Sequence, residues 1–501
     1  MDLFSHLALG LETAFVPINL VYCLVGVLVG TLVGVLPGVG TTATVAMLLP
    51  MTFTLSPASA LIMLAGIYYG AQYGGSTTAI LVNMPGEASS AVTALDGHRM
   101  ALNGRAGPAL TIAALGSFFA GTVATLIIAA LAVPLSSVAL RFGSADYFAL
   151  IVVGLVCSVT LAHGKLLNAL AMVVLGLLCG IVGTDVYTGA QRFTFGLYDL
   201  TEGLSVAAIA IGLFGIPEML RKLEAESTSE ITTLKVAGLR PNRSEARRSI
   251  GPVLRGSALG SLLGVLPGGG AVLSAFASYA LEKRLSPEPH KFGQGMVEGV
   301  AGPESANNAG AQTSFIPTLA LGVPSNPVMA LLIGAMIIHG IVPGPTFISD
   351  EPALFWGLIV SMWIGNFLLV ILNLPLIGLW VRLLSIPYYA LFPGIIVFAS
   401  IGAFAENSKP FDVLILTASG LVGYILHKLE CEPAPLLLGF VLGPMLEENF
   451  RRTLVLSHGD FTAFFASPVA CALLAIAAVM IGMVSMPRFA RRREEVFSEE
   501  I

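Results

Sequence analysis

Gly26–Gly40 reads GVLVGTLVGVLPGVG, and Gly256–Gly270 reads GSALGSLLGVLPGGG. Nine of the fifteen positions are identical, including the glycine pairs Gly26/Gly256, Gly30/Gly260 and Gly34/Gly264 and the Leu-Pro-Gly that closes each ladder. A glycine-rich composition does not by itself put the same Leu-Pro-Gly after the same ladder. Downstream, Gly70-Ala71-Gln72 matches Gly310-Ala311-Gln312, and Asn83-Met84-Pro85-Gly86 matches Gly322-Val323-Pro324-Ser325. A weaker match pairs Gly212–Met219 with Gly439–Met445. The chain therefore reads as two homologous halves, 1–220 and 256–450, joined by a linker at 221–255. One extra helix and a basic tail follow at 451–501.

The composition assigns the solvent. Only 11% of the 501 residues are charged and 55% are hydrophobic, whereas soluble domains carry about 25% charged residues. Thr13 to Gly86 contains no Asp, Glu, Lys or Arg, and neither do Ala106–Leu140 and Ser305–Ser349. A spanning helix needs about 20 apolar residues, so these stretches predict an all-α polytopic membrane protein. The apolar runs are continuous rather than alternating, which excludes a transmembrane β-barrel. A net charge of −5 without a basic tract offers nothing to nucleic acid. The five scattered cysteines form no CxxC pair, so no metal site or disulfide framework is predicted. No basic n-region precedes the first apolar run, so no cleavable signal peptide is expected.

With so few charges, their positions carry the topology, because short cytoplasmic loops collect Lys and Arg. Arg221, Lys222, Lys235, Arg240, Arg243, Arg247, Arg248 and Arg255 make the central loop cytoplasmic, and Arg488–Arg493 does the same for the C-terminus. The N-terminal segment, with Asp2 and Glu12 and no base, is expected outside. Crossings are expected near 19–50, 58–85, 107–133, 147–162, 166–184, 203–220, 353–381, 388–405, 411–427, 434–446 and 464–486. The loop Asp96–Arg105 falls inside and Asp185–Glu202 outside; Arg451-Arg452 falls outside, against the rule. The first ladder is entered from the acidic outer segment and the second from the basic central loop, so the halves are expected to be inverted. Inverted repeats with broken helices near the midplane are a transporter architecture.

Proline removes a backbone donor and disfavours helix in the residue before it, and glycine admits positive φ. Both Leu-Pro-Gly-x-Gly segments should therefore interrupt their helices, which in hydrocarbon is tolerated where the break lines a cavity or is buried in protein. The second unit, flanked by Arg255 and by Lys283-Arg284, reads as a re-entrant hairpin, and its twin would dip from outside. Half-helix N-termini attract anions. The candidate substrate-binding set follows: Pro37, Gly38, Gly40, Thr41, Thr42, Gln72, Ser76, Thr77, Asn83, Pro85 and Gly86 in the first half. In the second half it comprises Pro267, Gly268, Gly270, Ser274, Ser305, Asn307, Asn308, Gln312, Thr313, Pro324, Ser325 and Asn326. The ladders themselves read as close helix packing. Glu304, opposite Leu64 in the repeat alignment, and Glu87, opposite Asn326, are candidates for a coupling ion, because intramembrane acids are costly and tend to be functional. Gly38-Val39-Gly40-Thr41-Thr42-Ala43 fits the dinucleotide fingerprint only superficially, since no strand precedes it.

At these residues the chain resembles the large membrane subunit of the bacterial tripartite tricarboxylate transporters. The resemblance rests on the two Leu-Pro-Gly-x-Gly segments, Tyr69-Gly70-Ala71-Gln72-Tyr73-Gly74-Gly75-Ser76, Asn83-Met84-Pro85-Gly86 and Gly302-Pro303-Glu304-Ser305-Ala306-Asn307-Asn308-Ala309, and it extends over essentially the whole chain. It implies an inner-membrane permease that works with a small four-helix membrane subunit and a periplasmic solute-binding protein. It also implies uptake of a small carboxylate driven by a gradient of H⁺ or Na⁺, without ATP or a cofactor, in keeping with the lack of a Walker motif. The resemblance does not assign the carboxylate. A stand-alone carboxylate transporter or exchanger is the alternative. An intramembrane enzyme would require a compact set of His, Asp or Cys at catalytic spacing, and the sequence has none, so no catalytic residue is assigned.

Overall fold

The computed structural model describes residues 3–36, 40–162, 165–225, 236, 238–266, 270–383 and 388–485. Pro37, Gly38, Pro267, Gly268, Lys235 and the basic tail lie outside the described residues. The first half contains α1 (Leu3–Ala14), α2 (Pro17–Val35), α3 (Thr41–Leu48), α4 (Pro57–Val82), α5 (Ala91–Met100) and α6 (Ala106–Ala139). It continues with α7 (Ser144–Leu161), α8 (Leu166–Gly180), a two-stranded hairpin of β1 (Gly183–Thr184) and β2 (Gln191–Arg192), α9 (Val206–Ala210) and α10 (Ile216–Ala225). The second half runs α11 (Arg243–Leu263), α12 (Gly270–Leu285), α13 (Glu298–Thr313), α14 (Phe315–Leu321), α15 (Pro327–Ile338) and α16 (Phe347–Asp350). Then come α17 (Pro352–Asn373), α18 (Ile377–Leu383), α19 (Tyr388–Asn407), α20 (Pro410–Lys428), α21 (Ala434–Leu456) and α22 (Pro468–Ser485).

This is an all-α membrane protein. Among the described residues, four helical runs are long and apolar enough to cross a bilayer: Pro17–Val35, Ala88–Ala139, Pro352–Asn373 and Pro410–Lys428. The helices end where the backbone requires it. α2 stops as Leu36 turns extended (φ −75°, ψ 114°) ahead of Pro37, and Gly40 opens α3 at φ +70°. α4 ends on Asn83 and α14 on Gly322, both left-handed, at positions that the repeat alignment had paired. Ser56 caps α4 and Asn326 caps α15, each through its side chain.

The glycine ladders close two helix pairs. Gly26, Gly30 and Gly34 of α2 lie on the backbone of Met63, Ile67 and Ala71 in α4, and a Cβ on Gly70 would stand 2.6 Å from the Val27 carbonyl oxygen. In the second half, Gly256, Gly260 and Gly264 of α11 lie on Gly302, Ala306 and Gly310 of α13. Such contact excludes any larger side chain, and both α4 and α13 are buried along nearly their whole length. Packing between the halves comes in matched pairs. α4 lies on α17 as α13 lies on α6; α2 meets α17 as α11 meets α6; α8 runs along α21 as α20 runs along α9 and α10.

Several stretches differ from the sequence reading. The 96–105 loop is largely helical: α5 runs to Met100, and the break is confined to Asn103 and Gly104, the latter at φ +75°. The 221–255 linker is helical at both ends, because α10 reaches Ala225 and a capping box of Asn242 and Glu245 starts α11 at Arg243. α21 extends ten residues past the expected end at 446, to Leu456, carrying Arg451 with it. Arg451 pairs there with Asp185 (2.8 Å) and Glu447 (2.7 Å), and Arg192 on β2 joins the same Glu447 at 2.6 Å.

Candidate binding cavity

The residues that follow the two expected interruptions, Gly40–Ala43 and Gly270–Val272, are distant in sequence and line one cavity. A cavity of about 590 Å³ is lined from the first half by Gly40, Thr41, Thr42, Tyr68, Gln72, Pro85, Gly86, Glu87 and Ser89. The second half contributes Gly270, Ala271, Asn326 and Pro327. Leu213, Phe214, Pro217, Glu218 and Arg221 from the α10 region, and His427, Glu432 and Ala434 from the α20–α21 junction, complete the wall. Arg221 and His427 are exposed and form the rim.

The sequence arranges helix starts around this space. α3 begins at Thr41, α12 at Gly270 and α15 at Pro327, and the turn Ala88–Ser90 leading into α5 is capped by Glu87. Each brings backbone N–H groups without intrahelical acceptors and the positive end of a helix dipole. Gly86 has no room for a side chain, because a Cβ would meet the Gly75 Cα and stand 2.9 Å from the Gly34 carbonyl oxygen. Two cavity-lining residues carry buried atoms lacking a hydrogen-bond partner: the Thr41 hydroxyl, a donor, and Glu87 Oε1, an acceptor. The other Glu87 oxygen accepts from Ser89 Oγ at 3.4 Å, and Ser89 Oγ also lies 3.4 Å from Gln72 Oε1.

One turn beyond Gln72 on α4, a second polar centre is sealed in the bundle. Glu304 of α13 is buried and accepts hydrogen bonds from Ser76 Oγ (2.8 Å) and from Thr93 Oγ1 of α5 (2.6 Å). No salt bridge reaches it among the described residues. The void beside it, about 20 Å³, is bounded by Tyr73, Ser76, Thr77, Ser117 and Asn373. Ser76 Oγ also sits 3.2 Å from the Gln72 carbonyl oxygen, so Glu304 and the cavity share one face of α4.

Of the residues proposed from sequence, Gly40, Thr41, Thr42, Gln72, Pro85, Gly86, Gly270, Asn326 and Glu87 line the cavity. Ser76 and Thr77 border the Glu304 void instead. Asn308 bonds Ser117 Oγ at 2.7 Å. Asn83 forms the α4 terminus, and Pro324 lies between α14 and α15, outside the cavity lining. Ser274, Ser305, Thr313 and Ser325 are spent on backbone carbonyls, those of Gly270, Ala301, Ala309 and Ser314. Asn307 and Gln312 are buried away from the cavity, with both amide atoms of Asn307 and Gln312 Oε1 unpartnered. The sequence reading passed over Tyr68, Ser89, Arg221 and His427. Arg221 carried a signal, as the first base after a long apolar stretch, and that signal served only the topology.

It also passed over Asp96. This buried side chain accepts the backbone N–H groups of Gly293 (3.0 Å), Gly295 (2.8 Å) and Met296 (2.7 Å) on one oxygen and the Tyr279 hydroxyl (2.9 Å) on the other. It ties α5 to the segment entering α13 and thus one half to the other.

An uncharacterized 52.8 kDa protein of Agrobacterium vitis, described by its position in the TAR-I ttuC' 3' region, is 61% identical to this chain over 500 residues, spanning 100% of both. A second protein of that organism, from the TAR-II ttuC' 3' region, is 61% identical over 241 residues, covering 48% of this chain and 100% of its own length. No solved structure matches the chain. The family model described as "Tripartite tricarboxylate transporter TctA family" matches residues 20–438. With that match over most of its length, this multi-pass membrane chain belongs to the tripartite tricarboxylate transporter TctA family, as its large subunit.

Proposed function

We propose that the chain is the permease subunit of an ion-gradient-driven importer of a small carboxylate in the bacterial inner membrane, served by a periplasmic binding protein and a small four-helix membrane subunit. The observation that carries this reading is the convergence on one cavity of the helix starts at Thr41, Gly270 and Pro327 and the Glu87-capped turn, drawn from both halves. Such starts present N–H donors and favourable potential to a carboxylate without requiring a desolvated lysine or arginine. The unpartnered Thr41 hydroxyl supplies a further donor, and Glu87 Oε1 an acceptor for a proton or cation travelling with the anion. Glu304, reached through Gln72 and Ser76, is the second ion-coupling candidate.

The matched packing of the halves supports a two-fold relation between them, and the charge pattern supports its inversion across the membrane. Under that orientation Arg221 and His427 face the cytoplasm, so the cavity is open inward. Thr41 and Gln72 then contact substrate, and Arg221 guides its release. The test is uptake in proteoliposomes holding both membrane subunits and supplied with loaded binding protein, under separate H⁺ and Na⁺ gradients and with a panel of mono-, di- and tricarboxylates. Accumulation of one carboxylate class under one of the gradients supports the reading. Uptake that proceeds equally without binding protein or gradient overturns it.

A further inference from the structure

A second concavity lies on the outside of the bundle. About 280 Å³ in volume, it runs between α6 and α11, bounded by Ile112, Leu115, Gly116 and Phe119 on one side and Ala246, Ile250, Val253 and Leu254 on the other. Leu115, Phe119, Ile250 and Leu254 are exposed, so the groove faces outward. The one hydroxyl among the residues that line it is already committed: Ser249 Oγ bonds the Glu245 carbonyl at 2.8 Å.

The helical period then sets a charge at one end. Arg243, Arg247, Ile250 and Leu254 recur at four, three and four residues, which puts them on one face of α11. Both arginines are exposed, and neither has a carboxylate partner among the described residues, whereas Arg248 on another face holds Glu298 at 2.7 Å and Arg105 holds Glu245. From Arg243 to Leu254 the helix rises about 16 Å, close to the roughly 15 Å depth of one hydrocarbon leaflet.

We propose that this groove binds an anionic phospholipid, with an acyl chain lying along Leu115, Phe119, Ile250 and Leu254 and the phosphate held by Arg243 and Arg247. A guanidinium suits a phosphate bidentately, and basic sites of this kind at a membrane surface hold anionic headgroups. Charge complementarity separates this occupant from a zwitterionic lipid, and the single-leaflet length separates it from a spanning helix of another subunit.

The test labels the full transporter, in nanodiscs, with phosphatidylglycerol carrying a photoreactive acyl chain, and maps the adducts by mass spectrometry. Adducts are expected on the peptides containing Leu115–Phe119 and Ile250–Leu254. Arg243→Gln with Arg247→Gln should reduce labelling about tenfold or more, and Arg284→Gln, on an exposed base away from the groove, should leave it unchanged. Competition on the unaltered protein requires no substitution: unlabelled phosphatidylglycerol should suppress the adducts and phosphatidylethanolamine should not. Equal competition by the two lipids, or unchanged labelling in the double variant, overturns the proposal. So does a photoreactive residue at Leu115 that crosslinks to a protein subunit instead of lipid.

Discussion

Replacing Glu304 by Gln separates its chemistry from its packing. The carboxylate accepts from Ser76 and Thr93, so an amide of the same shape keeps one acceptor and presents an N–H₂ to the other hydroxyl. Ser76 has an alternative: with the Gln72 carbonyl 3.2 Å away it can turn its proton there and accept the new amide. One hydrogen bond is exchanged for another, so the stability change should stay within about 1 kcal/mol. Glu304→Leu behaves differently, because the buried Thr93 hydroxyl loses the carboxylate it donates to, and one stranded buried group costs about 1–3 kcal/mol. If Glu304 carries the coupling ion, both variants lose gradient-driven accumulation, but only the Leu variant loses appreciable stability. The assay pairs carboxylate accumulation in proteoliposomes with thermal unfolding of the same preparations. A Gln variant that accumulates substrate to the wild-type level refutes the coupling role.

Other expectations follow from individual contacts. Gly30→Leu puts a side chain where a Cβ would already be 2.7 Å from the Ile67 Cα, so it should destabilise by at least the 1–3 kcal/mol or so of an overpacked core; Gly482→Ala, in open space within α22, should cause no loss in the same unfolding assay. Asp96→Ala leaves three backbone N–H groups without their acceptor, at about 1–3 kcal/mol each, and should abolish recovery of folded protein, with Asp96→Asn intermediate. Asp185 is held well below the usual carboxylate range, first by the backbone N–H of Tyr187 and then by Arg451. A depressed folded pKa contributes stability above the unfolded value near 4 and loses it as pH falls through the folded value. The advantage of wild type over Asp185→Asn should therefore shrink as pH drops below about 4, and a gap unchanged there would contradict it. Thr41→Val should raise the apparent KM for carboxylate uptake several-fold without loss of folded protein, read from initial uptake rates; an unchanged KM removes Thr41 from the site.

Much of the architecture is legible in one dimension because its causes are local. Leu36-Pro37 and Asn83-Met84-Pro85 terminate helices through steric rules that act between neighbours, and the break positions follow from the residues alone. Glycines at four-residue spacing imply helices in close contact, and the structure puts those of α2 on the backbone of α4. The partial reading of the site has an equally physical basis. Ser305 and Thr313 are polar and flank the right segments, but a hydroxyl in a helix can bond the carbonyl one turn back, and these do. Nothing in the sequence distinguishes that state from a hydroxyl aimed at a ligand.

The sequence by itself determined the solvent and the points where α2 and α4 end, since each depends on composition or on residues adjacent in the chain. Only the tertiary structure decided that Thr41, Glu87, Gly270 and Asn326 share one cavity and that Arg221 and His427 stand at its rim. It alone decided that Asp96 holds the two halves together and that Arg451 is neutralised by Asp185. The contact between Arg451 and Asp185 alone joins residues 266 positions apart in the chain. They depend on how buried helices pack side by side, which no local preference encodes.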